Sequence, residues 1–206
     1  MHSLNMHFID LNTLKFFNQS LYSPFATGLF SFASSPYPYV IFALLLFLVS
    51  FKNFPWQKTL SIIVLTALIV GFCDVVCTYY FKRTFFAVRP CAIYDWVIKP
   101  PKCSGSHSFP SNHSINIASL VGCFLLTCKY IYSKKTFLII SILSVFTAFV
   151  VGASRVYFAQ HRPSEALMGL ILGFYISWFI IESTRIFKTT HAKEKTRNTQ
   201  EDTVAI

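Results

Sequence analysis

The residues best suited to chemistry lie between Ser154 and Glu165, reading Ser-Arg-Val-Tyr-Phe-Ala-Gln-His-Arg-Pro-Ser-Glu. Pro163 fits the first position of the apolar run that follows, because a helix start leaves that N–H unbonded anyway. This puts His161 just outside the helix and Glu165 at its third position. A carboxylate there can reach back to one imidazole nitrogen and fix the tautomer, so that the other nitrogen faces outward as a nucleophile. Arg155, six residues before His161, adds a permanent positive charge suited to a phosphate oxygen.

Two further clusters supply what such a nucleophile needs. Lys82 and Arg89, the latter followed by Pro90, are seven residues apart. If that segment is helical, both cations share one face about two turns apart and can hold two oxygens of one phosphate. The stretch Phe109-Pro110-Ser111-Asn112-His113-Ser114 immediately precedes an apolar run. The unbonded N–H groups of a helix start, including the Asn112 amide, make an anion site. Ser111 adds a hydroxyl, and His113 is placed to act as a general acid. Each cluster alone has an ordinary explanation: snorkelling cations, a helix cap, a solvated interfacial histidine. Their order, shared side of the membrane and complementary chemistry argue for one site.

The elements that must position these groups are membrane helices. Of 206 residues, 54% are hydrophobic and only 13% charged, outside the range of soluble domains. The net charge of +10 does not form a basic stripe with interleaved aromatics, so nucleic acid is not an expected partner. Apolar runs at 39–51, 60–81, 111–131, 136–158 and 164–187 predict an all-α bundle of about five spans. Residues 1–190 are read as one membrane domain. Within it, 1–38 form an interfacial arm with Phe8, Leu11, Leu14 and Phe17 at near-helical spacing, a disordered arm being the alternative. No cleavable signal peptide is visible, so the first span is expected to direct insertion. Residues 191–206 form a charged tail.

Placing that tail in the cytoplasm puts ten of the 18 Lys and Arg inside, from Lys52, Lys58, Lys129, Lys134 and Lys135 to the five beyond residue 184. Eight fall outside, and three of these, Lys82, Arg89 and Arg155, are reserved for the site. The long loop, His113 and His161 then face away from the cytoplasm. Cys91 and Cys103 lie in that outer loop, where an oxidising compartment would let them pair. Cys73, Cys77, Cys123 and Cys128 read as small apolar residues of spans. Asp74, an acid inside a span, is read as a buried hydrogen-bonding group or, less simply, a functional one.

Lys-x6-Arg-Pro, then Pro-Ser-x-His, then Ser-Arg-x5-His-x3-acid resembles the three-part signature of the type 2 phosphatidic acid phosphatase superfamily, which includes glucose-6-phosphatase and vanadium haloperoxidases. The match runs from Lys82 to Glu165. The resemblance implies that His161 attacks phosphorus to form a phosphohistidine, supported by Glu165. It implies that His113 protonates the leaving group, while Lys82, Arg89, Ser111, the Asn112 amide and Arg155 hold the phosphate, with no metal or cofactor. Two positions depart from the family's usual pattern. Asn112 stands where Gly is usual, and Glu165 where Asp is usual. The expected activity is hydrolysis of a lipid phosphate or diphosphate at the outer face of a bacterial cytoplasmic membrane. Undecaprenyl diphosphate is the first substrate choice, ahead of phosphatidylglycerol phosphate and lipid A phosphates. The alternatives are a lipid phosphotransferase and a non-catalytic lipid binder or transporter.

Overall fold

A computed structural model of the chain describes residues 2–98, 100, 103, 105 and 107–184. The expected tail at 191–206 lies outside the described residues, as do the cations beyond residue 184 and Lys99 and Lys102 in the loop. Helix α1 (His2–Lys15) runs into a π-helical turn, Phe16–Ser20, and is followed by α2 (Pro24–Ser34) and α3 (Tyr37–Asn53). Helix α4 (Trp56–Val75) continues through a second π-helical segment, Val76–Phe81, into α5 (Lys82–Phe85), and α6 is the single turn Pro90–Ile93. Helices α7 (Asn112–Lys129), α8 (Lys134–Tyr157) and α9 (Pro163–Thr184) complete the bundle. Local chemistry sets several starts: the hydroxyls of Ser23, Ser111 and Ser133 accept the N–H groups of Ala26, Ser114 and Thr136.

Three segments are long and apolar enough to cross a membrane: Trp56–Ile93, Lys134–Tyr157 and Pro163–Thr184. Pro24–Ser34 and Tyr37–Asn53, bent by 50° at Ser35 and Pro36, make a fourth if they count as one broken span. Among the described residues each of the five expected runs falls on a helix, but α7 differs in kind. It carries Asn112, His113, Ser114, Asn116 and Ser119, so composition alone does not mark it as a span. Its residues 117–124 are buried, because α3, α4, α8 and α9 surround it. The lipid-type surface lies outside, on residues such as Leu60, Val64 and Leu68 of α4 and Leu138, Ile142 and Phe146 of α8.

The α7–α9 contact is the tightest in the bundle, and glycine makes it possible. A Cβ on Gly169 would lie 2.8 Å from both the Ser111 carbonyl and the Ser114 Cβ, and one on Gly173 would collide with the Ile115 carbonyl. Without a difference in hydrophobicity between lipid and Leu, close backbone approach of this kind is what holds membrane helices together. Gly173→Leu should therefore destabilise the protein by about 3 kcal/mol or more. Gly71→Leu, whose Cβ would enter open space on α4, should leave the melting temperature in detergent unchanged. Equal melting temperatures for the two variants would contradict this packing.

The amino-terminal segment is helical and docks on the bundle. Leu14 is fully buried in a satellite core with Cys91, Val97, Val156, Ala159 and Ala166, while Phe8, Ile9 and Phe16 remain exposed. Residues 2–20 and 24–34 are helical, and α1 rests on protein along one face.

Candidate active site

Helix α4 delivers Lys82 through its π-helical segment, and Lys82 is buried. The chain does not continue as a helix to Arg89, so the expected single face is not how the cations meet. Helix α5 stops at Phe85, Phe86 takes a left-handed conformation (φ 42°), and Arg89 is extended (φ −69°, ψ 142°) before Pro90 begins α6. This turn folds Arg89 back into the bundle. Its Nη1 donates to the Gln160 carbonyl at 2.9 Å and the Gln160 side chain at 3.3 Å, and lies 3.1 Å from His161 Nε2.

His161 is held in a compact turn after α8. Ala159 is left-handed (φ 48°), an uncommon conformation for a residue with a Cβ. The N–H groups of Gln160 and His161 both donate to the Arg155 carbonyl, at 2.9 and 3.2 Å, and Cys91 N–H donates to the Ala159 carbonyl at 2.9 Å. A guanidinium can only donate, so the Arg89 contact requires a lone pair on Nε2 and places the imidazole proton on Nδ1. Nδ1 points towards Glu165 Oε2 at 3.6 Å, farther than a hydrogen bond. Burial pushes the His161 pKa down to about 4; Glu165 opposes this and the Arg89 charge reinforces it. The ring is therefore neutral near pH 7, the form a nucleophile needs.

Glu165 is fixed independently of His161. Its Oε2 accepts Arg162 N–H at 2.8 Å, and its Oε1 accepts the Ser108 hydroxyl at 2.8 Å and Arg162 Nη1 at 3.3 Å. Its own carbonyl accepts Ser111 N–H at 3.3 Å, which ties the start of α9 to the start of α7. Ser111 is fully buried and caps α7. The Asn112 side chain is committed to α4 and its π-helical continuation: it donates to Asp74 at 2.8 Å and Thr78 at 2.9 Å, and accepts from the Cys77 thiol at 3.3 Å. What residue 112 has left for an anion is its backbone N–H in the first turn of a helix. Asp74 also accepts from Asn116 at 2.9 Å, so it is a half-buried hydrogen-bonding group between two helices.

His113 follows at the same helix start, its carbonyl accepting the Tyr39 hydroxyl at 3.0 Å. The charges of Arg155, Arg89 and Lys82 all bear on its ring. Arg155 reaches in from the end of α8, its Nη1 donating to Ser34 at 3.3 Å while its buried Nε has no protein partner among the described residues. Three cations, two histidines and a helix start thus converge, with Glu165 behind His161. Such a group neutralises and orients a tetrahedral dianion and offers it a nitrogen nucleophile.

Sequence reasoning missed Ser108, Gln160 and Tyr39, whose contacts span 57, 71 and 74 positions of the chain and follow no local pattern. His107 packs edge-on against Phe86 with ring centres 5.0 Å apart. Cys91 and Cys103 are bonded in the structure, their Cα atoms 6.0 Å apart. The bond sits beside Arg89-Pro90, and Cys91 also anchors the Ala159 turn. Loop-closure entropy assigns such a crosslink about 3 kcal/mol. Protein matured in an oxidising compartment should yield a linked Cys91–Cys103 peptide and melt at lower temperature once reduced. Two free thiols and no effect of reductant would contradict this.

Comparison with known proteins agrees with the geometry. Residues 59–187 match the PAP2 superfamily. A lipid A 4'-phosphatase of Bacteroides thetaiotaomicron is 31% identical over 176 residues, which are 82% of this chain and 74% of that protein. In fold the chain is similar to the crystal structure of a transmembrane PAP2-type phosphatidylglycerolphosphate phosphatase from Bacillus subtilis. The TM-score is 0.68 at 22% identity, covering 89% of this chain and 88% of that one.

Proposed function

The chain belongs to the PAP2 superfamily, and from that and the site geometry we propose that it hydrolyses a phosphate ester or diphosphate of a bacterial membrane lipid through a phosphohistidine. The observation that carries this reading is the neutral, buried His161, with its Nε2 lone pair directed at the Arg89 guanidinium. A phosphate entering the site takes over the Arg89 donors and brings phosphorus to Nε2. The new N–P bond forms as the bond to the lipid oxygen breaks, and that oxygen takes a proton from His113. Lys82, Arg89, Arg155, the Ser111 hydroxyl and the first-turn N–H groups at Asn112 hold the three equatorial oxygens. Water then gives a proton to His113 and attacks phosphorus, the N–P bond breaks, and phosphate leaves with His161 regenerated.

The Bacteroides relative makes the phosphate of a lipid A-type glycolipid the first substrate to test. Undecaprenyl diphosphate and phosphatidylglycerol phosphate belong beside it. We place the active site on the periplasmic face and the carboxyl terminus in the cytoplasm, on the distribution of Lys and Arg among the loops. The test is phosphate release by purified protein from these three lipids in mixed micelles, with His161→Ala as control. Release in proportion to turnover from at least one of them is expected. Transfer of the phosphoryl group to an added alcohol without free phosphate would favour a phosphotransferase. No turnover with intact folding would favour a lipid binder.

A further inference from the structure

The start of α9 is capped on one side only: Glu165 accepts the Arg162 N–H at 2.8 Å, but no neighbouring side chain accepts the free N–H of the first turn. Arg162, the residue before Pro163, has no side-chain acceptor, and Pro163 contributes no N–H. Yet the first turn of α9 carries Glu165 and continues from His161, so its placement sets the geometry of that pair. The missing acceptor comes from the far end of the chain. Asp10 of α1 is buried, and its two oxygens accept the Ser164 N–H at 2.9 Å and the Ser164 hydroxyl at 2.6 Å. Its negative charge also lies at the helix end that favours one.

A second clamp works a few residues away. Asn18, buried at 2% exposure, donates to the Tyr157 carbonyl at 2.8 Å and the Ile98 carbonyl at 3.1 Å, and accepts Ile98 N–H at 2.8 Å. It thus ties the end of α8 to the outer loop. Between the two clamps, Leu14 fills the satellite core under Ala159 and Ala166. Gln19 Nε2 donates to the Trp96 carbonyl at 2.7 Å, and Lys15 lies over the Trp96 ring. Residues on both sides of the His161 turn are therefore held from α1 and its π-helical extension.

We infer that the amino-terminal segment is a working part of the active site, in which Asp10 is a positioning residue that caps α9 from a distance and, with Asn18, fixes the turn bearing His161. Its kinetic arm rests on the phosphatase reading; its structural arm does not. Full-length Asp10→Ala, Asp10→Asn, Ser164→Ala and the Asp10→Ala/Ser164→Ala double variant are compared with wild type and Phe8→Ala in nanodiscs. Amide exchange over 158–166 and steady-state phosphate release are both measured.

Asp10→Ala should speed exchange in 158–166 while sparing α7 and the middle of α8. It should lower kcat about 10- to 100-fold with little change in KM. Asp10→Asn, which keeps an acceptor for Ser164 N–H, should recover part of the rate, and the double variant should be little worse than Asp10→Ala alone. Wild-type exchange and kcat in Asp10→Ala would overturn the inference. So would exchange that rises uniformly through the bundle with kcat per folded molecule unchanged, since that is general destabilisation. Equal damage from Phe8→Ala, a residue 66% exposed, would make the segment a bilayer anchor and also overturn it. If wild type releases no phosphate from any lipid, the phosphatase reading fails, and the exchange result still decides this one.

Discussion

Substitution of His161 by alanine is expected to lower phosphate release by about 10,000-fold or more while leaving the bundle folded. The loss is large because nothing nearby can replace the nucleophile. His113 comes from the start of a different helix, and in the proposed mechanism the other side chains at the site, Lys82, Arg89, Arg155 and the Ser111 hydroxyl, bind phosphate and do not face phosphorus from the side of His161. Folding should survive because Arg89 keeps its bonds to the Gln160 carbonyl and side chain, and Glu165 keeps Arg162 N–H and Ser108. Phosphate release and thermal melting, measured on the same preparation, separate the two effects. A variant that retains near-wild-type rate would show that another group attacks phosphorus.

Glu165 should prove sensitive to charge more than to length. Both its oxygens serve as acceptors, one for Arg162 N–H and the other for Ser108 and Arg162 Nη1. In Glu165→Gln, the amide NH2 must face at least one of these donors, and the negative charge behind His161 disappears when the ring gains a positive phosphohistidine-like character. A fall of about 100-fold or more in kcat is expected. Glu165→Asp keeps the charge and should lose less than about tenfold. Equal losses in the two variants would assign the position to spacing and would remove charge from the account.

Much of this site was legible because its chemistry is carried by short runs. Pro163 announces α9, the hydroxyl of Ser111 announces α7, and Lys82, Arg89, His113, Arg155, His161 and Glu165 come with fixed spacings around them. The turns that make the runs converge were not legible. Phe86 and Ala159 adopt left-handed conformations without being glycine, so the turns that fold Arg89 and His161 back into the bundle left no mark in the pattern. Helix α7 was legible as a helix but not as the centre of the bundle, because its polar residues only make sense once Asp74, Glu165 and Tyr39 are seen to meet them. The docking of α1 was hidden for the same reason. Asp10 and Ser164 are 154 positions apart, and an apolar stripe through Leu14 reads the same whether it faces lipid or protein.

The most direct test of the account is to trap the covalent intermediate. Enzyme mixed with 32P-labelled lipid phosphate is quenched in alkali within milliseconds, digested and mapped by mass spectrometry. The account predicts a label on His161 that survives alkali, is lost in acid, and turns over fast enough to match phosphate release. It also predicts no label in His161→Ala and, in His113→Ala, a label that forms more slowly and also decays more slowly than in wild type. Full turnover with no phosphorylated histidine, or a label on any residue other than His161, would contradict it.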